Sequence, residues 1–332
     1  MPPEGTADQR ARHRRRPVAH SQPTTTIWLW LRPHSGLIDL LIYLCVRFSR
    51  KAMESHIYVG GPFRCTMTDI PPSHPRRSSL LARERLVEGV RAGIVSEAGL
   101  IAHGRGEAFD YLLGERTTDE AVAACRAAAA LLLLARRPVM SVNGNVAALA
   151  ADASVALASA VGRARASHAV ADSAMRLEVN LFHRTEERVR LVADRLRAAG
   201  ARDVLGEAPD ARVPGLDHAR ALCSSQGVGS ADVVLIPLED GDRAEAMRRW
   251  GRTVIAVDLN PMSRTARAAH VTVVDELTRA LPVLAGEATA LAGEPEGRLR
   301  ATVDGFDNAA CLRAVLGRMV ARVPEVDLGP PV

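Results

Sequence analysis

Apolar and polar residues take turns along this chain in two rhythms, the second more regular than the first. From residue 176 onward, short runs of Val, Ile and Leu alternate with amphipathic stretches. RLEVNLF, ADVVLIPL, RTVIAVDLN and HVTVVD are brief and apolar nearly throughout, the pattern of strands buried on both faces. Between them RTEERVRLVADRLRAAG, DGDRAEAMRRWG, SRTARAA and ELTRALPVLAGEA predict helices, the first two closed by Gly200 and Gly251. Strands and helices in this order predict a parallel sheet covered on both sides, joined by right-handed crossovers.

The earlier rhythm is helical. SSLLARERLVEGVRAGIVSEAG predicts a helix capped by Ser78 or Ser79 and ending near Gly93. TTDEAVAACRAAAALLLLARR predicts a second, with Thr118 as its cap and Asp119 and Glu120 at its positive end. PVMSVNGNVAAL predicts a buried strand, a glycine turn and a new helix. The Ala-rich SVALASAVGRARASHAVADSA continues as helix with a break near Gly162. The expected fold class is α/β: a Rossmann-like parallel sheet with helices on both faces, preceded by N-terminal helices.

Composition changes this picture mainly at the start of the chain. Hydrophobic residues make up 47% of 332, so a large core is available, and 3% aromatics make it aliphatic. The formal charge of +5 suggests nucleic acid until it is located. Residues 1–66 hold 10 of the 43 Lys and Arg and 4 of the 38 Asp and Glu, leaving 33 against 34 for the remainder. A near-neutral body carries no broad electrostatic footprint for DNA or RNA. Five scattered cysteines without a CxxC pair point to reduced thiols and a cytoplasmic protein.

TIWLWLRPHSGLIDLLIYLCVRF, residues 26–48, is interrupted by Arg32, Pro33, His34 and Asp39, which argues against a membrane span. Residues 1–66 are expected to be a disordered or non-native extension. The α/β domain then occupies 67–325, divided into a helical part at 67–175, a Rossmann-like part at 176–290 and a C-terminal helix at 291–325.

Ligands of open parallel sheets bind beyond the carboxyl ends of the strands. IAHGRGE, SVNGNVA, NLFHRTEE, IPLEDGDR and VDLNPMSRT are the polar segments expected there. Arg105, between Gly104 and Gly106, puts a permanent cation on a flexible segment suited to a phosphate or carboxylate, or it marks a plain turn. His103 is a base or a structural imidazole. Asn143 and Asn145 contact a ligand or make a turn. Glu239, Asp240 and Asp242 are magnesium ligands or a cap with first-turn acids. Arg264 is a ligand contact or a surface charge. GRGEAF is not a dinucleotide fingerprint, because Phe109 stands at the last glycine position, and the chain has no Walker A motif.

SHPR at 73–76, AGLIAHGRGEAFDYLLGERT at 98–117, SVNGNVAAL at 141–149, NLFHRTEERV at 180–189, ADVVLIPLEDGDRAEA at 231–246 and VDLNPMSRTAR at 257–267 resemble archaeal phosphopantothenate synthetase, in colinear order. That family ligates 4-phosphopantoate to β-alanine in coenzyme A biosynthesis. The resemblance implies ATP cleaved to AMP and diphosphate through a phosphopantoyl-adenylate, magnesium dependence and a homodimer. It also implies ATP contacts at Arg83, Arg105, Asp258, Leu259, Asn260, Arg264, Thr265, Glu276 and Leu277.

Arg83, Arg105 and Arg264 suit a cationic clamp that lets a carboxylate attack an α-phosphate. Arg105, His103 and Glu107 are the catalytic candidates, with His103 or Glu107 taking the amine proton. Asn143, Asn145 and Arg184 are candidates for phosphopantoate. The other expectation is a nucleotide-binding regulatory protein of the same fold that lacks ligase activity.

Overall fold

Five residues of PVMSV form β1 (Pro138–Val142), and every one of them is buried. Around it the chain sets β2 (Arg176–Val179), β3 (Val204–Leu205), β4 (Ala211–Arg212), β5 (Leu222–Cys223), β6 (Val233–Pro237), β7 (Thr253–Val257) and β8 (Val271–Val273). This computed structural model describes residues 70–168, 170 and 172–325, so the expectations for residues 1–66 lie outside the described residues.

Six strands pair in parallel in the order β3-β2-β1-β6-β7-β8, while β4 and β5 form a separate antiparallel pair. Met140 sits at the middle of the sheet, opposite Leu177 on one side and Leu235 on the other. The chain winds outward from β1 to β3, returns, and winds outward again from β6 to β8. The strand order therefore reverses between β1 and β6, the place where such sheets open a crevice.

Successive strand residues feed opposite faces. Met140, Val142, Leu235, Ile255 and Val257 join the larger core. Val139, Val234, Ile236, Val254 and Ala256 join the core on the other face. This two-sided burial is why the strands are apolar without alternation.

The helices are α1 (Arg77–Arg91), α2 (Glu97–Leu113), α3 (Asp119–Leu134), α4 (Gly144–Ser167), α5 (Glu186–Ala198), α6 (Gly241–Arg249), α7 (Arg264–Ala268), α8 (Leu277–Ala290), α9 (Glu296–Asp304) and α10 (Asn308–Arg322). Thr118 caps α3 as expected, its hydroxyl accepting from the Ala121 N–H at 3.2 Å. Among the described residues only α4 is long and apolar enough to cross a membrane. More than half of that stretch is buried, and α4 packs against α1, α5 and α8 as a core helix.

Four expectations change. GRG is neither turn nor hinge, because α2 runs unbroken from Glu97 to Leu113. IAHGRGE is thus a helical segment and not a strand end. The α1 helix begins at Arg77 with Arg76 at its cap position, and the two serines lie inside it. Ser79 is occupied elsewhere, donating its hydroxyl to Glu107. The break in α4 falls at Ala150 (φ −146°, ψ 33°) and not near Gly162. The freed Leu149 carbonyl there accepts from Arg85 Nη1 at 3.4 Å. The C-terminal part holds two helices, α9 and α10, in place of one.

Candidate active site

At the crevice, Asn143 follows β1 and ties the two halves of the sheet together. Its Oδ1 accepts from the Val146 N–H at 3.1 Å, capping α4. Its Nδ2 donates to the carbonyls of Pro237 at 3.1 Å and Leu238 at 2.9 Å, beyond the end of β6. Leu238 holds φ at 51°, a left-handed conformation that costs a branched residue about 1–2 kcal/mol. Two hydrogen bonds brace it: its N–H donates to Val257 O at 3.0 Å and its carbonyl takes the bond from Asn143. Asn145 donates from Nδ2 to Gly99 O at 2.8 Å, joining α4 to α2. Both asparagines are therefore structural braces at the crevice.

Beneath this lies an ionic network around Glu239, Asp240 and Asp242 whose basic partners sequence reasoning missed. Glu239 is buried between Arg220, at 2.7 Å, and the fully buried Arg243. Burial raises its carboxyl pKa, but the two guanidinium charges override this and hold it below the usual glutamate range. Arg220 also reaches Asp240 at 3.0 Å and donates from Nη1 to Asn180 O at 3.0 Å. Arg243 donates to the Ser141 hydroxyl on β1 at 2.9 Å. Asp242, in the first turn of α6, bonds His218 at 2.8 Å. Among the described residues no three His, Cys, Asp or Glu side chains gather as metal ligands.

The α2 helix carries a second group. Glu107 receives Arg83 in a bidentate fork, with Nε at 3.0 and 3.1 Å and Nη2 at 2.8 Å, as well as the Ser79 hydroxyl. Burial pushes the Glu107 carboxyl up, and these hydrogen bonds bring it below its ordinary value. His103 lies one turn earlier, and burial holds its imidazole below the usual histidine range against the charges of Glu107 and Glu276. Glu276 follows β8 and caps α8, accepting from the Thr278 N–H at 2.8 Å. Leu277 is buried in the core beside it.

Arg105, exposed on α2, is the cation whose charge bears on Asp258 beyond β7. Burial raises the Asp258 carboxyl, opposed by the Ser263 hydroxyl and the Asn260 N–H at 2.9 Å. Leu259 shares a small buried core with Leu113 of α2, and Asn260 Oδ1 accepts from the Met262 N–H at 2.9 Å. Thr265 donates to Glu239 O at 2.7 Å, linking α7 to the ionic network.

Two candidates point elsewhere. Arg264 forks onto Glu245 at 2.8 and 3.1 Å. There it lines a surface cavity of about 530 Å³ with Arg248, Arg249 and Arg267. Arg184 donates to Gly206 O at 2.6 Å, bracing the loop after β3. The structure therefore brings together Arg83, His103, Glu107 and Glu276, and sets Arg105 by Asp258. It turns Arg264 to α6 and Arg184 to β3, at the opposite edge of the sheet.

Sequence comparison was made against this geometry. A family model described as phosphopantothenate/pantothenate synthetase matches residues 120–322. A 4-phosphopantoate–β-alanine ligase of Methanosarcina mazei is 51% identical over 253 residues, covering 76% of this chain and 95% of the relative. The protein of the same name from Thermococcus onnurineus is 48% identical over 264 residues, covering 79% and 97%. That from Methanospirillum hungatei is 54% identical over 222 residues, covering 67% and 86%.

Proposed function

The chain belongs to the phosphopantothenate/pantothenate synthetase family, and on that premise we propose that it is an ATP-dependent ligase joining 4-phosphopantoate to β-alanine. The observation that carries this is the rim formed by α2 with the segments after β7 and β8, where Arg83, His103, Glu107, Arg105, Asp258 and Glu276 collect. Two anions, a carboxylate and a nucleotide phosphate, meet in the first step, and fixed cations lower that barrier.

Arg83, held by Glu107, and Arg105, next to Asp258, contact ATP. Leu259, Asn260, Thr265, Glu276 and Leu277 shape its pocket. Arg264 joins them by leaving Glu245, an exchange that costs little because the pair is exposed. Asn143, Asn145 and Arg184 hold the loops around the acid. The acid's carboxylate oxygen bonds to the α-phosphorus, diphosphate leaves, and the neutral β-alanine amine then displaces AMP from the acyl carbon.

His103, neutral by burial, accepts the amine proton. Glu107 stays ionised and positions Arg83, so of the two candidates the imidazole suits the base. Magnesium, when bound, would neutralise charge on the nucleotide phosphates, a role in which this ion commonly takes few protein ligands. Residues 67–325 form the working unit. Exposed Ile101, Tyr111 and Leu112 on α2, with Val320 on α10, offer an apolar surface for a homodimer.

The test is incubation of the full chain with ATP, magnesium, phosphopantoate and β-alanine. AMP and 4′-phosphopantothenate are expected in equal amounts. ADP in place of AMP would replace the adenylate by an acyl phosphate. Absence of turnover would leave a nucleotide-binding protein.

A further inference from the structure

The surface cavity of about 530 Å³ between α6 and α7 is lined by Arg248, Arg249, Arg264, Arg267, Glu245 and Ala268. Its volume is that of a small-molecule site. Four guanidiniums line it with a single carboxylate, a net charge of +3. The chain from residue 67 onward is almost balanced, with 33 basic against 34 acidic side chains, so this surplus is local. Glu245 is shared: Arg264 forks onto it at 2.8 and 3.1 Å, while Arg249 reaches it only at 3.8 Å. Arg248 donates to Ala268 O at 2.7 Å, and Arg267 to Ser263 O at 3.4 Å. Arg264 and Arg267 stand three residues apart on a short helix, a spacing at which like charges repel.

Most of this cavity is remote from the nucleotide rim. The α6 helix ends at Arg249, just before the chain enters β7 at Thr253. Ala268, which accepts from Arg248, lies just before β8, and the neighbouring His270 N–H donates to Val254 O at 2.8 Å near the start of β7. Arg248, Arg249 and Arg267 therefore stand toward the amino ends of the strands, whereas the rim lies beyond their carboxyl ends. Arg264 is placed between the two. It opens α7 directly after the segment that follows β7. Its backbone is set against the first residue of α6, where a Cβ on Gly241 would overlap the Arg264 Cβ. Its long side chain, exposed beyond that anchor, can turn to the cavity or to the rim.

We infer that the α6–α7 cavity is a second anion site, for a small phosphorylated molecule, whose occupant opposes ATP by holding Arg264. The opposition to ATP rests on the ligase reading above; the anion site does not. Guanidinium forks match phosphoryl oxygens, and a concave wall of one sign concentrates anions. One guanidinium cannot serve both places, so the antagonism is mutual: each anion weakens the other by the same factor. The concave shape and the balanced charge elsewhere favour a small anion over a nucleic acid.

The test uses R249Q/R267Q in the full chain, because the polar contacts of these two side chains are the long ones. At constant ionic strength, with phosphopantoate and β-alanine saturating, inorganic phosphate raises KM for ATP in wild type. In the variant, KM and turnover without phosphate stay within about twofold, and about tenfold more phosphate is needed for the same rise, the effect of losing two exposed charge contacts. Equal inhibition of both proteins would put phosphate in the substrate sites alone and overturn the inference.

A second arm needs no turnover: calorimetric titration with inorganic phosphate, phosphopantoate present and ATP absent. The variant should bind about tenfold more weakly than wild type, and equal affinity overturns the inference. Tighter binding of a short single-stranded RNA, lost in the variant, would make the cavity part of a nucleic-acid surface and also overturn it. If wild type forms no AMP, the ligase reading fails, and the titration still decides whether the cavity takes an anion.

Discussion

His103 illustrates how burial selects a chemical role. Its neighbours Glu107 and Glu276 favour the imidazolium, yet burial outweighs them and the pKa falls below 6.5. The neutral ring is therefore present at neutral pH and persists as the medium becomes mildly acidic. The amide-forming rate should stay level from pH 8 down past 6.5 and drop only as pH passes through the lowered value. His103→Ala should lose about 10²-fold or more in turnover and lack that acid limb. An unchanged rate in the variant removes His103 from the mechanism. Glu107, tied to Arg83 and Ser79, gives no limb in this range, because its pKa lies below 4.5.

At the scale of elements, α2 is fastened to the sheet by Arg279 of α8. The guanidinium spans Asp110 on α2 and Asp275 after β8, with Nη2 2.7 Å from Asp275 and Nη1 3.2 Å from Asp110. Thr117 donates to the other oxygen of Asp275 at 2.6 Å. Both carboxylates are buried, so Arg279→Ala strands two charges. The expected loss is about 3–5 kcal/mol, read from the denaturant midpoint, and part of it returns in a D110A/R279A double variant. A loss under about 1 kcal/mol would mean that the bridge behaves as a surface pair.

The elements themselves were mostly legible. Strands buried on two faces announce themselves by unbroken Val and Ile, and Thr118 by the acids that follow it. The course of α2 was not, because two glycines in three residues look like a turn. Each glycine costs about 1 kcal/mol in a helix, but Leu113 and Phe109 on the same helix belong to a small apolar core with Leu259, and that burial favours the helix. The two-residue β3 is too short to carry a pattern. Arg220 was invisible for a different reason. A sequence shows a charge but not its partner, and only the folded chain sets Arg220 between Glu239 and Asp240.

For the whole molecule, the residues expected at the site divide along the sheet. Those expected to hold the nucleotide lie on α1, on α2 and after β7 and β8, with Arg264 turned to α6, and those expected to hold the acid lie beyond β1 and β2. The motifs could be read in order along the sequence, but the strand order that sets the distance between them appears only in the folded chain.

That order also governs how the protein comes into being. Met140 receives its first neighbour, Leu177, within 40 residues, but its second, Leu235, only after 95. A nascent chain that has emerged as far as α5 therefore holds a half-built ladder, greasy on both faces and open along one flank, until β6 leaves the ribosome. Such a flank invites other chains. A fragment ending near residue 200 should precipitate or cling to a chaperone, while the full chain, diluted from denaturant, should regain its fold on the slow millisecond-to-second scale of long-range pairing.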